Sequence, residues 1–227
     1  MGPHSRWKAS PGVIDALRVG ARALQGLLFP EYCAACDAPI ETGHVFCSRC
    51  GVCPDAPAAA ATLCAAVGGR YAPPLSTAIR RFKFSHRADL ARPLARLLPW
   101  PFDEGGLAAA QRAVVPVPLH YARLVERGFN PAGLLGHALA RRVGAAFSPE
   151  LLQRQRATAQ QSRLPARERR ANVADAFRAP GTARGRQVVL VDDVVTTGST
   201  LNACCQALYA AGVDHVTVLA LAAAPAP

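Results

Sequence analysis

Several patterns that would assign a function at once are missing from this 227-residue sequence. It has no G-x-x-x-x-G-K-[ST] loop, which excludes a P-loop ATPase, and no G-x-G-x-x-G turn after a strand, which excludes the common dinucleotide-binding fold. No apolar run approaches the length of a membrane span, and charged residues interrupt the apolar stretch from Val13 to Phe29, unlike a signal peptide. We therefore expect a cytoplasmic protein without membrane insertion.

Lysine is also scarce, although the chain is strongly basic. Lysine and arginine together number 26 against 15 acidic residues, for a net charge of +11, and the only lysines are Lys8 and Lys83. The rigid fork of arginine suits phosphate groups, whether they belong to a substrate or to a nucleic acid backbone. The charge is compatible with a nucleic-acid partner but does not by itself establish one.

Cysteine, in contrast, is present in quantity, with eight residues. A disulfide framework is not expected in a cytoplasmic protein. Two C-x-x-C pairs, ten residues apart, suit the tetrahedral thiolate site of a structural Zn²⁺: Cys33, Cys36, Cys47 and Cys50. His44 and Cys53 lie close enough in sequence for either to replace one of the four. The adjacent Cys204 and Cys205 fall in a predicted helix, and we interpret them as small buried side chains.

The segment from Val188 to Leu201 carries the strongest pattern in the chain. Val188 to Val191 predict a strand buried on both faces, and Leu201 to Ala211 predict a helix that stops at Gly212. Two carboxylates and a hydroxyl-rich loop lie between them: Asp192, Asp193, Thr196, Thr197, Gly198, Ser199 and Thr200. Backbone N–H groups at a helix N-terminus can hold a phosphate, and ionised carboxylates can accept hydrogen bonds from the sugar hydroxyls beside it.

Two other interpretations fit parts of this segment. Apolar residues followed by two acids also occur in the Mg²⁺-binding strand of P-loop ATPases, but the companion loop is missing. An ordinary strand–helix turn, in which the hydroxyls only cap the helix, stays open. Against that interpretation stands the free-energy cost of two adjacent carboxylates at a strand end without partners.

The acidic pair and its loop closely resemble the phosphoribosyl pyrophosphate (PRPP) signature of type I phosphoribosyltransferases. The resemblance implies that Asp192 and Asp193 hold the ribose hydroxyls and that Thr196 to Thr200 surround the 5′-phosphate. It also implies Mg²⁺ bridging pyrophosphate and ribose oxygens. Displacement of pyrophosphate needs positive groups nearby, and Lys83, Arg123 and Arg127 are candidates from separate segments.

Further motifs narrow the resemblance to the family of the competence protein ComF. They are Val115-Pro116-Val117-Pro118-Leu119, Glu126-Arg127-Gly128-Phe129-Asn130, Arg154-x-Arg156-x-Thr158-x-x-Gln161, and Glu168-Arg169-x-x-Asn172-Val173 with Ala176-Phe177. With the cysteine pairs in front and the PRPP signature behind, the resemblance runs from about Cys33 to the C-terminus. Pro131 is a departure, because the family usually has glutamine there.

This resemblance implies an α/β fold, in which a type I phosphoribosyltransferase-like parallel sheet is flanked by helices and preceded by a small four-cysteine zinc module. We expect an N-terminal helix within residues 1–30, the zinc-binding module at 31–57, a linker at 54–62 and the phosphoribosyltransferase-like domain at 63–227. In that domain the pattern predicts a strand over Ala113–Pro118 and helices over Leu75–Phe82, after Asp89 through Leu98, and from Pro131 with Asn130 as N-cap.

The arginine-rich segment from Leu152 to Arg178 directly precedes the acidic strand. We interpret it either as a hood that closes over substrate and excludes water, or as a solvated basic loop. Its candidate contacts to pyrophosphate are Arg156, Thr158 and Gln161.

Two functions from different classes follow from the resemblance. One is an enzyme of DNA uptake and natural transformation that transfers phosphoribosyl from PRPP to an unidentified acceptor. The other is a non-catalytic competence factor that binds single-stranded DNA and uses the PRPP pocket only for ligand sensing. The implied partners are PRPP, single-stranded DNA and a DNA-uptake helicase or recombination machinery.

Overall fold

A computed structural model describes residues 31–51, 65–102, 105, 107–155 and 176–224. The expected N-terminal helix, the linker, Cys53 and most of the arginine-rich segment lie outside the described residues. Among the residues that are described, no helix has the length and apolarity to cross a membrane.

A parallel sheet of five strands forms the centre, in the order β3–β9–β8–β4–β5. Its strands are β3 (Ala66–Val67), β4 (Arg112–Pro116), β5 (Ala146–Phe147), β8 (Gln187–Val195) and β9 (His215–Ala223). Two antiparallel pairs lie outside it: β1 (Glu31–Tyr32) with β2 (Pro39–Ile40), and β6 (Gln153–Arg154) with β7 (Phe177–Arg178). The α/β class with a parallel sheet is confirmed.

Helices cover both faces of this sheet. They are α1 (Leu75–Phe84), α2 (Ala91–Ala95), α3 (Leu107–Ala110), α4 (Tyr121–Arg127), α5 (Pro131–Val143) and α6 (Ser199–Ala210). Strand β8 shows why two layers form, because its side chains alternate between the faces. Val189 and Val191 pack with α1, α2 and α5, whereas Val188 and Leu190 pack with α6.

The predicted start of α5 is confirmed in detail. Asn130 is the N-cap, its side-chain oxygen accepts a hydrogen bond from the Ala132 N–H at 3.1 Å, and Pro131 occupies the first turn. The Asn130 side-chain NH₂ also donates to the Val117 carbonyl at 3.0 Å. This residue therefore fixes the beginning of α5 to the chain that leaves β4.

The helix predicted through Leu98 is shorter than expected. A 3₁₀ turn at Ala88–Leu90 leads into α2, which ends at Ala95, and Leu98 follows in a turn whose N–H bonds to the Ala95 carbonyl. Pro93 has no N–H to donate backwards, so it is tolerated only near the start of a helix. The apolar side chains are buried as predicted, since Leu94 and Leu98 are almost inaccessible to solvent.

The central strand β8 is longer than its apolar run. β4 pairs with it only as far as Val191, opposite Pro116, but β9 continues alongside to Val195. Pro116 thus lies at the end of β4, as predicted for a residue that cannot donate to the ladder. Asp192 and Asp193 consequently lie on a strand that is paired on one side and open on the other.

Candidate functional site

The open side of β8 beside Asp192 lies between β8 and β4, where the chain connections run towards opposite edges of the sheet. From β4 the chain passes through α5 to β5, and from β8 it passes through α6 to β9 on the other side. Such switch points leave a crevice beyond the carboxyl ends of the strands, where α/β proteins bind ligands. The residues singled out in sequence at the end of β8 lie at this crevice.

Lys83 from α1 reaches the acidic pair. Its Nζ lies 2.6 Å from Asp193 Oδ1, and both side chains are largely shielded, at 18% and 13% exposure. The backbone N–H of Asp193 donates to Asp192 Oδ1 at 2.8 Å. The structure therefore brings Lys83, Asp192 and Asp193 together from two segments that are distant in sequence.

The two carboxylates differ in their electrostatic surroundings. Burial, reinforced by the charge of Asp193, raises the pKa of Asp192 to about 7. The Asp193 N–H and the Lys83 charge act in the opposite direction and favour the ionised form. Asp192 consequently changes its charge near neutral pH, which is unusual for an aspartate.

The hydroxyl-rich loop leads directly into α6. Gly198 is the N-cap of that helix and adopts a left-handed conformation with φ +73°. Because glycine has no side chain, Gly198 offers no side-chain acceptor to the first N–H groups of the helix. The hydrogen bond from Ser199 N to Thr197 Oγ1 is long, at 3.5 Å. The helix therefore presents a positive dipole end beside exposed Thr196, Thr197 and Ser199.

The other candidate cations lie on or beside α4. Arg123 Nη1 pairs with Glu126 Oε2 on the same helix at 2.7 Å, and Arg127 stacks over the Phe84 ring at 5.0 Å. Phe84 directly follows Lys83, so Arg127 is held next to the segment that reaches the acidic pair. Arg156, Thr158 and Gln161 lie outside the described residues.

The arginine-rich segment leaves and rejoins the described chain at the β6–β7 pair. The Arg154 guanidinium stacks on the Phe177 ring at 5.3 Å. Burial and the charge of Asp192 raise the pKa of the Cys204 thiol, and the Arg154 charge opposes that shift. Cys204, on α6, is fully buried in the core, as predicted for a small apolar side chain, whereas Cys205 is only partly buried.

The four predicted cysteines form one cluster. Their Sγ atoms all lie within 4.8 Å of one another, and the Sγ atoms of Cys36 and Cys47 are 3.6 Å apart. Tetrahedral zinc with Zn–S bonds of ~2.3 Å would separate its sulfur atoms by roughly 3.8 Å. The donor set thus fits such an ion, and among the described residues His44 is not part of the cluster.

The two C-x-x-C pairs have the same local backbone. Asp37 N–H bonds to the Cys33 carbonyl at 2.9 Å, and Gly51 N–H bonds to the Cys47 carbonyl at 3.1 Å. Both Asp37 and Gly51 have positive φ, at 60° and 86°. A left-handed residue after the second cysteine closes each turn, and aspartate is one of the few non-glycine residues that tolerate this conformation.

Charged side chains fasten the cysteine cluster to the helices of the sheet. Asp37 pairs with both Arg81 and Arg87, and Arg81 also donates to the Ala34 carbonyl at 3.0 Å. Glu31 accepts two hydrogen bonds from Arg96, at 2.7 and 2.9 Å, and these bonds lower the pKa of Glu31 to about 2. Arg81, Arg87 and Arg96 therefore hold the cysteine cluster and β1 against α1, α2 and the turn between them.

Arg70 lies at the end of the sheet that carries the acidic pair, and the sequence gives no signal of that position. This residue follows the two-residue strand β3 and forms a bridge with Ala223, the last residue of β9. Both residues therefore lie at the carboxyl ends of their strands, as the acidic pair does. Gly68 before Arg70 is closely packed, since a Cβ there would lie 2.3 Å from the Leu97 carbonyl oxygen. A strand of two residues is too short to show a periodic pattern.

Comparison with known proteins gives consistent results. The phosphoribosyl transferase domain family matches residues 134–227. The DNA utilization protein YhgH of Escherichia coli strain K12 is 39% identical over 193 residues, covering 83% of this chain and 82% of that protein. Competence protein F of Haemophilus influenzae is 34% identical over 202 residues, covering 86% of each.

Solved structures that match part of the chain include two enzymes. The allosteric regulatory enzyme of purine biosynthesis gives a TM-score of 0.37 at 22% identity, covering 60% of this chain and 25% of that one. The glutamine PRPP amidotransferase from Bacillus subtilis, complexed with ADP and GMP, gives 0.36 at 20% identity, covering 59% and 25%. The chain thus spans about a quarter of the length of these structures.

Proposed function

The chain belongs to the ComF family, together with the DNA utilization protein YhgH and Competence protein F, and on that premise we propose that it binds PRPP and transfers its phosphoribosyl group. The acceptor is unidentified, and the proposed setting is cytoplasmic DNA uptake. The observation that carries the proposal is the convergence of Asp192, Asp193 and Lys83 with the glycine-capped start of α6 at one crevice.

Each part of that crevice suits one part of PRPP. The amides at the start of α6, with Thr196, Thr197, Gly198, Ser199 and Thr200, would hold the 5′-phosphate. Asp192 and Asp193 would accept hydrogen bonds from the ribose hydroxyls. Lys83, and the nearby Arg127, would neutralise charge on the pyrophosphate as it departs.

The proposed reaction needs positioning more than covalent catalysis. A bond forms between the acceptor and the anomeric carbon while the bond to pyrophosphate breaks, and the pyrophosphate oxygen keeps the electron pair. The carboxylates hold the sugar ring, and the lysine stabilises the charge of the leaving group. Mg²⁺, for which carboxylate and phosphate oxygens are suitable ligands, would supply further charge neutralisation.

We also infer that the cysteine cluster holds a structural Zn²⁺ through Cys33, Cys36, Cys47 and Cys50. The support is the mutual spacing of the four Sγ atoms and the repeated turn that closes each pair. Hydrogen bonds from the Ala38 N–H and from the other three thiols lower the pKa of Cys36 to about 6 and favour a thiolate, the form that binds metal. Four protein ligands leave no open coordination position, so the proposed role is structural.

The test of the enzyme proposal separates binding from transfer. Purified protein is incubated with Mg²⁺ and PRPP labelled in the ribose, with nucleobases or single-stranded DNA as acceptors, and the label and released pyrophosphate are followed. Transfer that is lost in Asp193→Asn supports the proposal. Binding without transfer to any acceptor would support a ligand sensor instead, and absence of PRPP binding would refute both.

A specific surface favours the second candidate function, binding of single-stranded DNA. Phe84 and Tyr121 are 63% and 77% exposed, and the Arg127 guanidinium stacks on the Phe84 ring. Exposed aromatic rings beside arginines are platforms on which unpaired bases stack. Two relatives that match more than four fifths of this chain are named for DNA utilization and for competence. Their names agree with a role in DNA binding.

This second function is tested by fluorescence anisotropy with a labelled thymidine oligonucleotide over a range of salt concentrations. Phe84→Ala should weaken binding about fivefold or more, since stacking contributes ~1–3 kcal/mol per base. Arg186→Gln, which alters an exposed arginine near the start of β8, is the control for charge alone. Equal binding by Phe84→Ala and the unaltered protein would remove this surface from consideration.

A further inference from the structure

A groove separate from the crevice at β8 lies between α2 and α5. Its volume is about 550 Å³, which is within the range of small-molecule sites. Small side chains, including Ala95 and Ala138, line it together with four arginines: Arg92, Arg96, Arg141 and Arg142. The groove is therefore partly apolar and strongly basic.

Two of these arginines hold the walls of the groove in place. Arg142 on α5 donates to the carbonyls of Ala95 at 2.7 Å and Leu98 at 3.1 Å, at the end of α2. Arg96 is engaged by both carboxylate oxygens of Glu31. The two Arg142 bonds satisfy carbonyls at and just beyond the end of α2 and tie that end to α5, so the groove between the two helices is a built feature of the fold.

The other two arginines of the groove do not hold its walls together. Arg92 on α2 and Arg141 on α5 are exposed, face the groove from opposite walls, and form no ion pair within the part of the chain that is described. Arg92 helps to lower the pKa of Glu31, but the oxygens of that carboxylate are already bonded to Arg96. Asp89, the acid that lines the groove, is occupied by Arg87. The positive charges of Arg92 and Arg141 in the groove are therefore not balanced by an adjacent carboxylate of the described chain.

His137 adds a flat side chain between these arginines. It lies one helical turn from Arg141 on α5, and its exposed ring packs edge to face against Phe147 with centroids 5.4 Å apart. The contact with Phe147 holds the orientation of the imidazole. A held aromatic ring beside two cations suits a ligand that combines a planar group with an anion.

We propose that this groove binds a nucleotide phosphate, carried by a free nucleotide or by a nucleotide within a strand. Arg92 and Arg141 clamp the phosphate from the two walls, because arginine forks match phosphate oxygens. His137 stacks on the base. A carboxylate-bearing peptide would supply the negative charge but not the planar group that matches His137. The site is independent of the proposed PRPP crevice.

The test uses the full chain and titrates it with deoxythymidine monophosphate, a thymidine 20-mer and a hexaglutamate peptide. Binding is followed by calorimetry and by the imidazole signal of His137 in ¹H–¹³C spectra, which His137→Gln assigns. Arg92→Gln/Arg141→Gln should lower affinity for the phosphate ligands by about tenfold or more. Arg80→Gln/Arg186→Gln, with the same net charge and exposed positions elsewhere, is the matched control.

A second variant tests the groove without altering its charge. Ala88→Trp places a large ring at an exposed position that lines the groove, and it should weaken binding as the double arginine variant does. Movement of the His137 signal with either phosphate ligand, lost in both variants, supports the proposal. It is overturned if hexaglutamate alone moves that signal, or if the two phosphate ligands bind equally to all variants.

Discussion

Lys83 Nζ lies 2.6 Å from Asp193 Oδ1, although 110 residues separate the two in sequence. The ion pair joins the end of α1 to the open side of β8. It places a cation among the carboxylates that are proposed to hold ribose, and its charge reduces the free-energy cost of ionising Asp192 beside Asp193.

Replacement of this lysine should affect binding more than folding. Lys83→Met removes the cation proposed to neutralise pyrophosphate, and we expect the Kd for PRPP with Mg²⁺ to rise at least about tenfold, as for loss of one charged hydrogen bond. The same change should raise the pKa of Asp192, since the Lys83 charge lowers it. Arg80→Met on the exposed side of α1 is the control, and an unchanged Kd in Lys83→Met would contradict the assignment.

The pH dependence of PRPP binding should report on Asp192. Its pKa of about 7 means that the carboxylate, the better acceptor for hydroxyls and metal, becomes populated as pH rises from 6 to 8. Affinity should therefore increase over this range by more than the ionisation of PRPP itself explains. Asp192→Asn cannot titrate, so its profile gives the contribution of the ligand. Parallel profiles for both proteins would refute the role of Asp192.

Stability of the unliganded protein should change in the opposite direction, falling as pH rises from about 4 to about 7. The folded-state pKa of Asp192 lies above its usual value of 3.8, so the folded state holds the proton more tightly than the unfolded state. The associated stability is complete below about pH 4 and is lost as pH rises through about 7. Chemical denaturation of the unliganded protein at pH 5 and pH 8 should show a larger fall than for Asp192→Asn.

The left-handed glycine at the start of α6 permits a paired comparison. Gly198→Ala and Gly185→Ala both place a Cβ at positive φ, +73° and +71°, which costs about 1–2 kcal/mol. Both variants should lose similar stability. Only Gly198→Ala should also lose PRPP affinity, because it displaces the amides proposed to hold the phosphate. Equal affinity in the two variants, measured by equilibrium binding, would show that this loop does not hold the ligand.

Loss of the proposed zinc should be detected by composition and by stability. Cys47→Ser should abolish stoichiometric zinc, measured by elemental analysis, and lower the Tm by several degrees. The reason is that Val45 and Phe46, beside this cysteine, pack into the core shared with α1 and α2. Cys205→Ser, on α6 and outside the cluster, should retain the metal. Retention of full zinc in Cys47→Ser would require another ligand.

The Glu31–Arg96 pair should make stability fall at acid pH. Its hydrogen bonds lower the pKa of Glu31 to about 2 from a usual value of 4.5. The resulting stability, on the order of 2 kcal/mol, is present above about pH 4.5 and is lost as pH falls towards 2. Glu31→Gln should flatten this part of the profile. Glu150→Gln, at an exposed position after β5, should leave it unchanged.

Local signals in the sequence were enough to predict the central strand, the loop, the helix that follows and the cap of α5. Each depends on neighbouring residues, such as Asn130 before Pro131. The short strands β3 and β5 were not predicted, because two residues carry no period and their pairing is set by the rest of the sheet. Likewise, the spacing of the four cysteines predicted their cluster, but nothing in the sequence indicated that Asp37 pairs with Arg81 and Arg87.

The site divides in the same way. Asp192, Asp193 and the loop residues are contiguous, so their proximity was predictable. The rarity of lysine draws attention to Lys83, but nothing in the sequence indicates that it reaches Asp193. Arg127 was selected for its charge, and its contact with Phe84 comes from the packing of α4 near the end of α1. Contacts across distant segments depend on the whole fold.

Helix α1 connects the cysteine cluster to the acidic pair over a very short distance. Arg81 bonds to Ala34 and Asp37 in the cluster, and Lys83, two residues later, bonds to Asp193. If metal binding steadies α1, it favours the arrangement that receives PRPP, and thermodynamic linkage then requires PRPP to tighten the hold on the metal by the same factor. Under that condition, zinc would raise the affinity for PRPP and PRPP would raise the affinity for zinc, both through α1.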